Sequence, residues 1–246
     1  MKKGIIAAIG ICLALAGAGV ASADDITADV ITYNGKTKVV SASGNVVIHA
    51  NQGATITGKS GEYRFEDRSA YLEGGVHYVK EQTTMDASKV DLYSDKTVHA
   101  VGHVVINERV EKRILKGDDV TYNPDTGDGN IQGNGYVSTE DGVVTAPHIY
   151  GNLKAIRILG DGGVHMTSEV HKLTAYGDQA VYTRTPNKND GVLYLKGHAR
   201  AEQNGNTFAG PELILRDDNQ TVETNGRSTL TITNSSGSKE QGRVAV

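Results

Sequence analysis

Histidine and aspartate are the residues of this chain with the most usable chemistry, and their spacing decides what they could do. Eight histidines invite a metal reading, since imidazole is a common ligand for zinc and copper. No two of them stand at ligand spacing with a carboxylate or thiolate partner, the donor pattern of most protein zinc sites. The acidic pairs Asp118-Asp119 and Asp217-Asp218 fall next to corners or in turns, where Asp is common because it hydrogen-bonds the local backbone. A glycosidase instead needs two carboxylates held across a cleft at a controlled separation. Gly133-Asn134-Gly135 is a fragment of a nucleotide fingerprint that follows no helix pattern. Serine-nucleophile elbows, phosphate loops and calcium loops do not occur. The single cysteine, Cys12, lies in the N-terminal apolar segment, so the remainder offers neither a thiolate nor a disulfide framework. The chain reads as non-enzymatic, with no cofactor and no metal.

What positions these residues is a repeat of about thirty residues that recurs seven times. Each unit opens on a small residue, at Ala28, Gly58, Ala87, Gly117, Ala146, Gly177 and Gly210. Each carries a glycine in its second half, at Gly44, Gly74, Gly102, Gly133, Gly162, Gly197 and Gly226. After the glycine, apolar residues mostly alternate with polar ones, as in Val46/Ile48, Val76/Tyr78 and Val104/Ile106, the period of a half-buried strand. In the first half, apolar residues stand two before the small residue and three and five after it. One extra residue therefore sits at each small anchor, which predicts a bulge or corner where the strand bends. Polar clusters such as Asn34-Gly35-Lys36 and Ser94-Asp95-Lys96 separate the halves and mark turns. No amphipathic helix pattern appears. The expected fold is all-β: about fourteen strands and their corners, in two facing antiparallel sheets with open edges, as an elongated twisted jellyroll or solenoid. The histidines at odd offsets, namely His49, His77, His103, His165 and His198, are expected on its outward face.

The termini and composition set the compartment and exclude some partners. Met1-Lys2-Lys3, an apolar run from Ile5 to Val20 and Ala21-Ser22-Ala23 describe a secretory signal peptide over residues 1–23, cleaved after Ala23. Losing Lys2 and Lys3 takes the net charge from −4 to −6, and without basic clusters the chain is a poor binder of nucleic acid. Residues 24–234 are expected to form the repeat domain and 235–246 a polar flexible tail. Export without cysteine fits a bacterial periplasmic protein.

The inward residues Ile31, Tyr33, Val46, Ile48, Ile56, Tyr63, Val76, Tyr78, Val90, Leu92, Val104, Ile106, Val120 and Tyr122 admit two readings. They fill the core between two sheets, or they line an apolar trough that could hold acyl chains; the residues alone leave both open. A stack that does not close also has unpaired edges, near Ile26 and Val30 at one and Leu230 and Ile232 at the other, and such edges recruit further strands.

The run Ala-Asp-Val-Ile-Thr-Tyr…Ala-Ser-Gly-Asn-Val-Val-Ile of residues 28–48 is echoed by Gly117-Asp118-Asp119-Val120-Thr121-Tyr122 and by Gly102-His103-Val104-Val105-Ile106. It resembles the organic-solvent-tolerance (OstA-like) repeat of periplasmic lipopolysaccharide transport proteins. The resemblance covers nearly the whole chain after residue 23. It implies a twisted β-jellyroll whose groove holds lipopolysaccharide acyl chains without chemistry on the protein. It also implies head-to-tail stacking with like copies, with an inner-membrane-anchored component and with an outer-membrane translocon, through edge strands. Gly135, Gly151 and Arg227-Ser228 depart from the repeat and argue against a uniform groove toward the C-terminus. Two other classes fit the repeat alone: a structural or adhesive β-solenoid at the cell surface, and a carbohydrate-active β-helix relying on Asp118 or Asp119.

Overall fold

A computed structural model describes residues 23–50, 53–110, 112–123, 125–139, 142–169, 171–186, 188, 190–217, 220–233 and 239–242. The leader before Ala23 lies outside them. The described residues form seventeen strands and no helix, in two compact units that divide between Gly133 and Asn134.

In the first unit, β1 (Ala23–Thr27) and β2 (Val30–Asn34) both lie antiparallel on β3 (Val39–Ala50). From there the chain meanders through β4 (Ala54–Arg64), β5 (Ser69–Lys80), β6 (Thr83–Leu92), β7 (Val98–Glu108) and β8 (Arg113–Tyr122), each paired with the next. β9 (Asp128–Ser138) carries Gly133-Asn134 at its middle. In the second unit, β10 (Val143–Asn152), β11 (Arg157–Ser168), β12 (Leu173–Thr183), β13 (Val192–Gln203) and β14 (Asn206–Arg216) continue the same meander. β15 (Thr221–Asn225) and β16 (Thr229–Thr233) both lie on β14, and β17 (Lys239–Gly242) lies on β16. The expected fourteen half-units are thus β3 to β14, plus two strands broken at their corner, β1 with β2 and β15 with β16. β17 is additional, within the segment read from sequence as a flexible tail.

The corners explain the repeat. The sequence placed one extra residue at the small anchor; the structure places a corner at the glycine as well, in mid-strand. On β3 the pairing runs Ser43↔Ser60 and then Val46↔Gly58, so two residues, Gly44 and Asn45, oppose the single Lys59. The same shift recurs at Gly74-Gly75, Gly102-His103, Gly162-Gly163 and Gly197-His198. Both residues of each pair have positive φ, 74° and 47° at Gly44-Asn45 and 82° and 52° at Gly102-His103. This is a bulge opened by a left-handed glycine. A left-handed residue with a side chain is tolerated mainly as Asn, Asp or His, which is why Asn45, His103, Asn134 and His198 occupy the second place. A residue of the preceding strand fills the space that the glycine leaves: Lys59 against Gly74, Ser88 against Gly102, Asp118 against Gly133 and Asp178 against Gly197.

Turn chemistry closes the rim. The Asn34 carboxamide oxygen accepts hydrogen bonds from the Lys36 and Thr37 amides at 3.0 and 3.2 Å. Asn123 does the same for Asp125 and Thr126 at 2.9 and 3.1 Å. Short side chains that accept from the backbone two or three residues on are what bend the chain here.

A branched side chain at Gly102 would meet both penalties, a left-handed backbone and overlap with Ser88. Gly102→Val is expected to cost about 1–3 kcal/mol, read as a lowered urea midpoint, whereas His103→Asn should stay within about 0.5 kcal/mol of the parent.

Candidate functional site

Residues directly opposite in an antiparallel ladder share a face, so the registers show which side chains form a line. In the first unit one line runs Ile26, Ile48, Ile56, Tyr78, Met85, Ile106, Leu115 across β1 and β3 to β8. On the other side of the corner a second runs Tyr33, Val40, Tyr63, Ala70, Leu92, Val98, Tyr122. Beside it a third joins Ile31, Ala42, Gly61, Leu72, Val90, Ala100 and Val120. Val46, Val76 and Val104 oppose Gly58, Ala87 and Gly117 next to the corner. Of the fourteen residues expected to face inward, eleven stand on these three lines and Val46, Val76 and Val104 stand beside them at the corner. Leu72, Met85, Val98 and Leu115 belong to them too, and the apolar residue two before each small anchor was the signal for Met85 and Leu115.

The lines pass from wet to dry. Tyr33 is 61% exposed and Ile31 48%, whereas Val104 and Ile106 are 1% exposed. Between these limits Ile48, Ile56 and Tyr63 are half-buried. An aromatic group that the repeat did not announce, Phe65 at 50% exposure, stands edge-on to Tyr63 at 4.8 Å and to Tyr33 at 6.2 Å between ring centroids. Three aromatic rings therefore gather where the apolar interior meets water. Of the expected edge residues, Val30 (58%) and Ile232 (48%) are exposed, while Ile26 and Leu230 are half-buried.

The second unit encloses its own apolar cavity of about 50 Å³, whose lining includes Val144, Ile149, Ile158, Met166, Tyr182 and Leu193. Val144 and Met166 come from one side of the corner, and Ile149, Ile158, Tyr182 and Leu193 from the other, so the two halves of each strand face one another across it. None of these lining residues was singled out as a binding residue from sequence, where this part of the groove looked irregular. The irregular glycines answer to close backbone approach: a side chain at Gly135 would run into the Ala146 carbonyl oxygen, and one at Gly151 into that of Arg157.

Among the described residues, polar groups outside pair across neighbouring strands. His77 lies 2.7 Å from Asp86, His99 3.0 Å from Asp119, and His198 2.9 Å from Asp178. These are cross-strand or corner pairs that hold neighbouring strands in register. His165 stacks on Tyr176 at 4.4 Å between ring centroids and is half-buried, while His49, His77, His103 and His198 are exposed. Asp118 packs at the Gly133 corner while its neighbour Asp119 faces His99. Among the described residues no group of three or more His, Cys, Asp or Glu could hold a metal ion.

The described residues define a class of repeated antiparallel β-folds, bent at glycine corners and apolar within. Residues 55–156 match the family described as LptA/(LptD N-terminal domain) LPS transport protein. Over that stretch the chain is similar to the LptA-like domain of lipopolysaccharide transport proteins. LptH, described as the LptA-homologous periplasmic component of the conserved lipopolysaccharide transport device of Pseudomonas aeruginosa, is similar in structure. That similarity covers 41% of this chain and 75% of LptH, at 14% identity and a TM-score of 0.36. No curated protein sequence matches.

One polar atom inside the ladder gives a measurable handle. Tyr78 is 1% exposed and its hydroxyl finds no hydrogen-bond partner among the described residues. Burial, reinforced by the Glu81 charge, pushes its pKa from 10.0 up to about 12. The folded protein keeps this proton longer than the unfolded chain, so stability is intact below pH 10 and declines as pH rises toward 12. Tyr78→Phe should remove about 2 kcal/mol of that alkaline loss and be neutral or slightly stabilising at pH 7. Urea unfolding of both proteins between pH 8 and pH 11.5 measures the difference.

Proposed function

We propose that this chain is a periplasmic lipopolysaccharide-binding bridge, which carries the lipid between inner and outer membranes with its acyl chains between the two layers of strands. The observation that carries the reading is the set of apolar lines crossing β3 to β8, most of whose length lies within the matched stretch 55–156. Those lines open to water at Tyr33, Tyr63 and Phe65, where rings can guide a chain from solvent into a dry interior. Sheltering a chain there recovers roughly 0.8 kcal/mol per buried methylene. Beyond the mouth the side chains already touch, so entry parts the layers, and the lipid replaces contacts that the closed interior makes with itself.

No step in this role requires a nucleophile, a metal or a nucleotide; direction comes from a partner with its own energy source. The partners are an inner-membrane-anchored component and an outer-membrane translocon, joined through the edge formed by β1 and β2 and the edge formed by β15 and β16. These two edges differ, so pairing between copies is heterologous and grows in one direction. The leader over residues 1–23 directs export and is removed after Ala23.

A photoreactive residue at Tyr63, with another at the exposed His103 as control, tests the reading on the purified exported chain with lipopolysaccharide. Labelling at Tyr63 and not at His103 is expected. A folded protein labelled at neither position, or equally at both, overturns it.

A further inference from the structure

The strand β17 stands on one half of an edge, and the repeat says what should stand there instead. On β3, the half Val47–Ala50 is covered by β1 and the half Val39–Ser43 by β2. On β14, the half Thr207–Ala209 is covered by β16 and the half Glu212–Arg216 by β15. A further module added to this edge would therefore set its β1 against β16 and its β2 against β15. The chain's own β17 occupies the first of those places, pairing Thr233↔Lys239 through Leu230↔Gly242.

The guard is chemically unlike the strand it replaces. Leu230 continues an inward line from Phe208, and β17 sets Gly242 opposite it and Glu240 opposite Ile232, so neither apolar residue gains an apolar partner. Lys239-Glu240-Gln241-Gly242 contains no apolar residue. A β1 strand would instead bring Ile26, which sits inward against Ile48, to extend the line through Leu230. Val30, Ile31 and Tyr33 of β2, exposed at 58%, 48% and 61%, would be covered by β15 in the same event.

We infer that β17 is a displaceable edge guard, which masks β16 until the β1–β2 edge of a second copy of this chain takes its place. This rests on the reading of the two edges as joints, and not on lipid binding. A weak guard is what such a joint needs, because it caps a lone edge against indiscriminate pairing yet yields to a strand that adds apolar contact. It lowers the apparent affinity by the fraction of time that the edge is covered.

Sedimentation equilibrium on the exported chain, on the same chain ending at residue 234, and on the double variant Glu240→Pro/Gln241→Pro tests this without lipid. Successive amides of a strand point to opposite sides, so one of the two prolines must remove a donor facing β16. Self-association about tenfold tighter or more is expected for both variants, with faster amide exchange at Leu230–Thr233 in their dilute monomers. Adding Ile26→Asp to the truncated chain should cancel the gain. Association unchanged or weaker in either variant overturns the guard, as does unaltered exchange, and a gain that survives Ile26→Asp overturns the choice of occupant. Lipopolysaccharide labelling at Tyr63 is a separate readout, so loss of the transport reading and loss of the guard are distinguishable.

Discussion

Everything in this fold depends on two consecutive left-handed residues in the middle of a strand. A straight strand of twelve residues, as in β3 or β5, would present one face to one layer. With Gly44-Asn45 or Gly74-Gly75 inserted against a single facing residue, the strand turns and lends its halves to two layers. The interior is then made by each strand folding toward itself, and neighbours supply length rather than closure. This is why a sequence with two phenylalanines and no tryptophan can bury a core. It needs only one modest aliphatic residue per strand at each position of the line, repeated strand after strand.

The repeat period, the all-β class and the inward set were legible because each is written many times in register. The alternation Val46/Ile48 or Val104/Ile106 places those side chains on one face whatever lies next door. The mid-strand glycine was legible as punctuation but not as a corner, since one glycine cannot tell a turn from a bulge; its partner could have, because Asn45, His103, Asn134 and His198 are the residue types a left-handed site selects. Their polarity invites a search for ligands, and backbone geometry answers it. The gradient from exposed Tyr33 to buried Ile106 was hidden, because equivalent repeat positions differ only in how many strands cover them. Phe65 was missed for a related reason: it lies just past the end of β4 and matches no repeat position.

β17 shows the limit from the other side. Its four residues carry no alternation and no branched side chain, so nothing in their pattern predicts a strand. They pair because β16 exposes a row of backbone donors and acceptors, and an unpaired row is a constraint that any nearby extended chain can satisfy. Secondary structure of this kind belongs to the edge rather than to the segment, and a local reading of residues 235–246 returns a tail.

The same logic governs how such a module meets its neighbours. A joint between β16 of one copy and β1 of another would repeat the internal joints, with the same ladder geometry and the same continuation of an apolar line. Recognition then cannot lie in the geometry of pairing, which every strand of the fold shares. It has to lie in which edges are left open, and in how much apolar surface they show. At the β1–β2 edge the chain exposes Val30, Ile31 and Tyr33, a choice that costs solubility in an isolated molecule and contributes only when something covers it. At the other edge β16 is rich in threonine, with Thr229, Thr231 and Thr233 around Leu230 and Ile232, and from Leu230 to Thr233 it is already paired with β17. An apolar, uncovered edge meeting a polar, half-covered one favours unlike pairing over like pairing, because two β16 edges offer each other little apolar contact and each already holds its own strand.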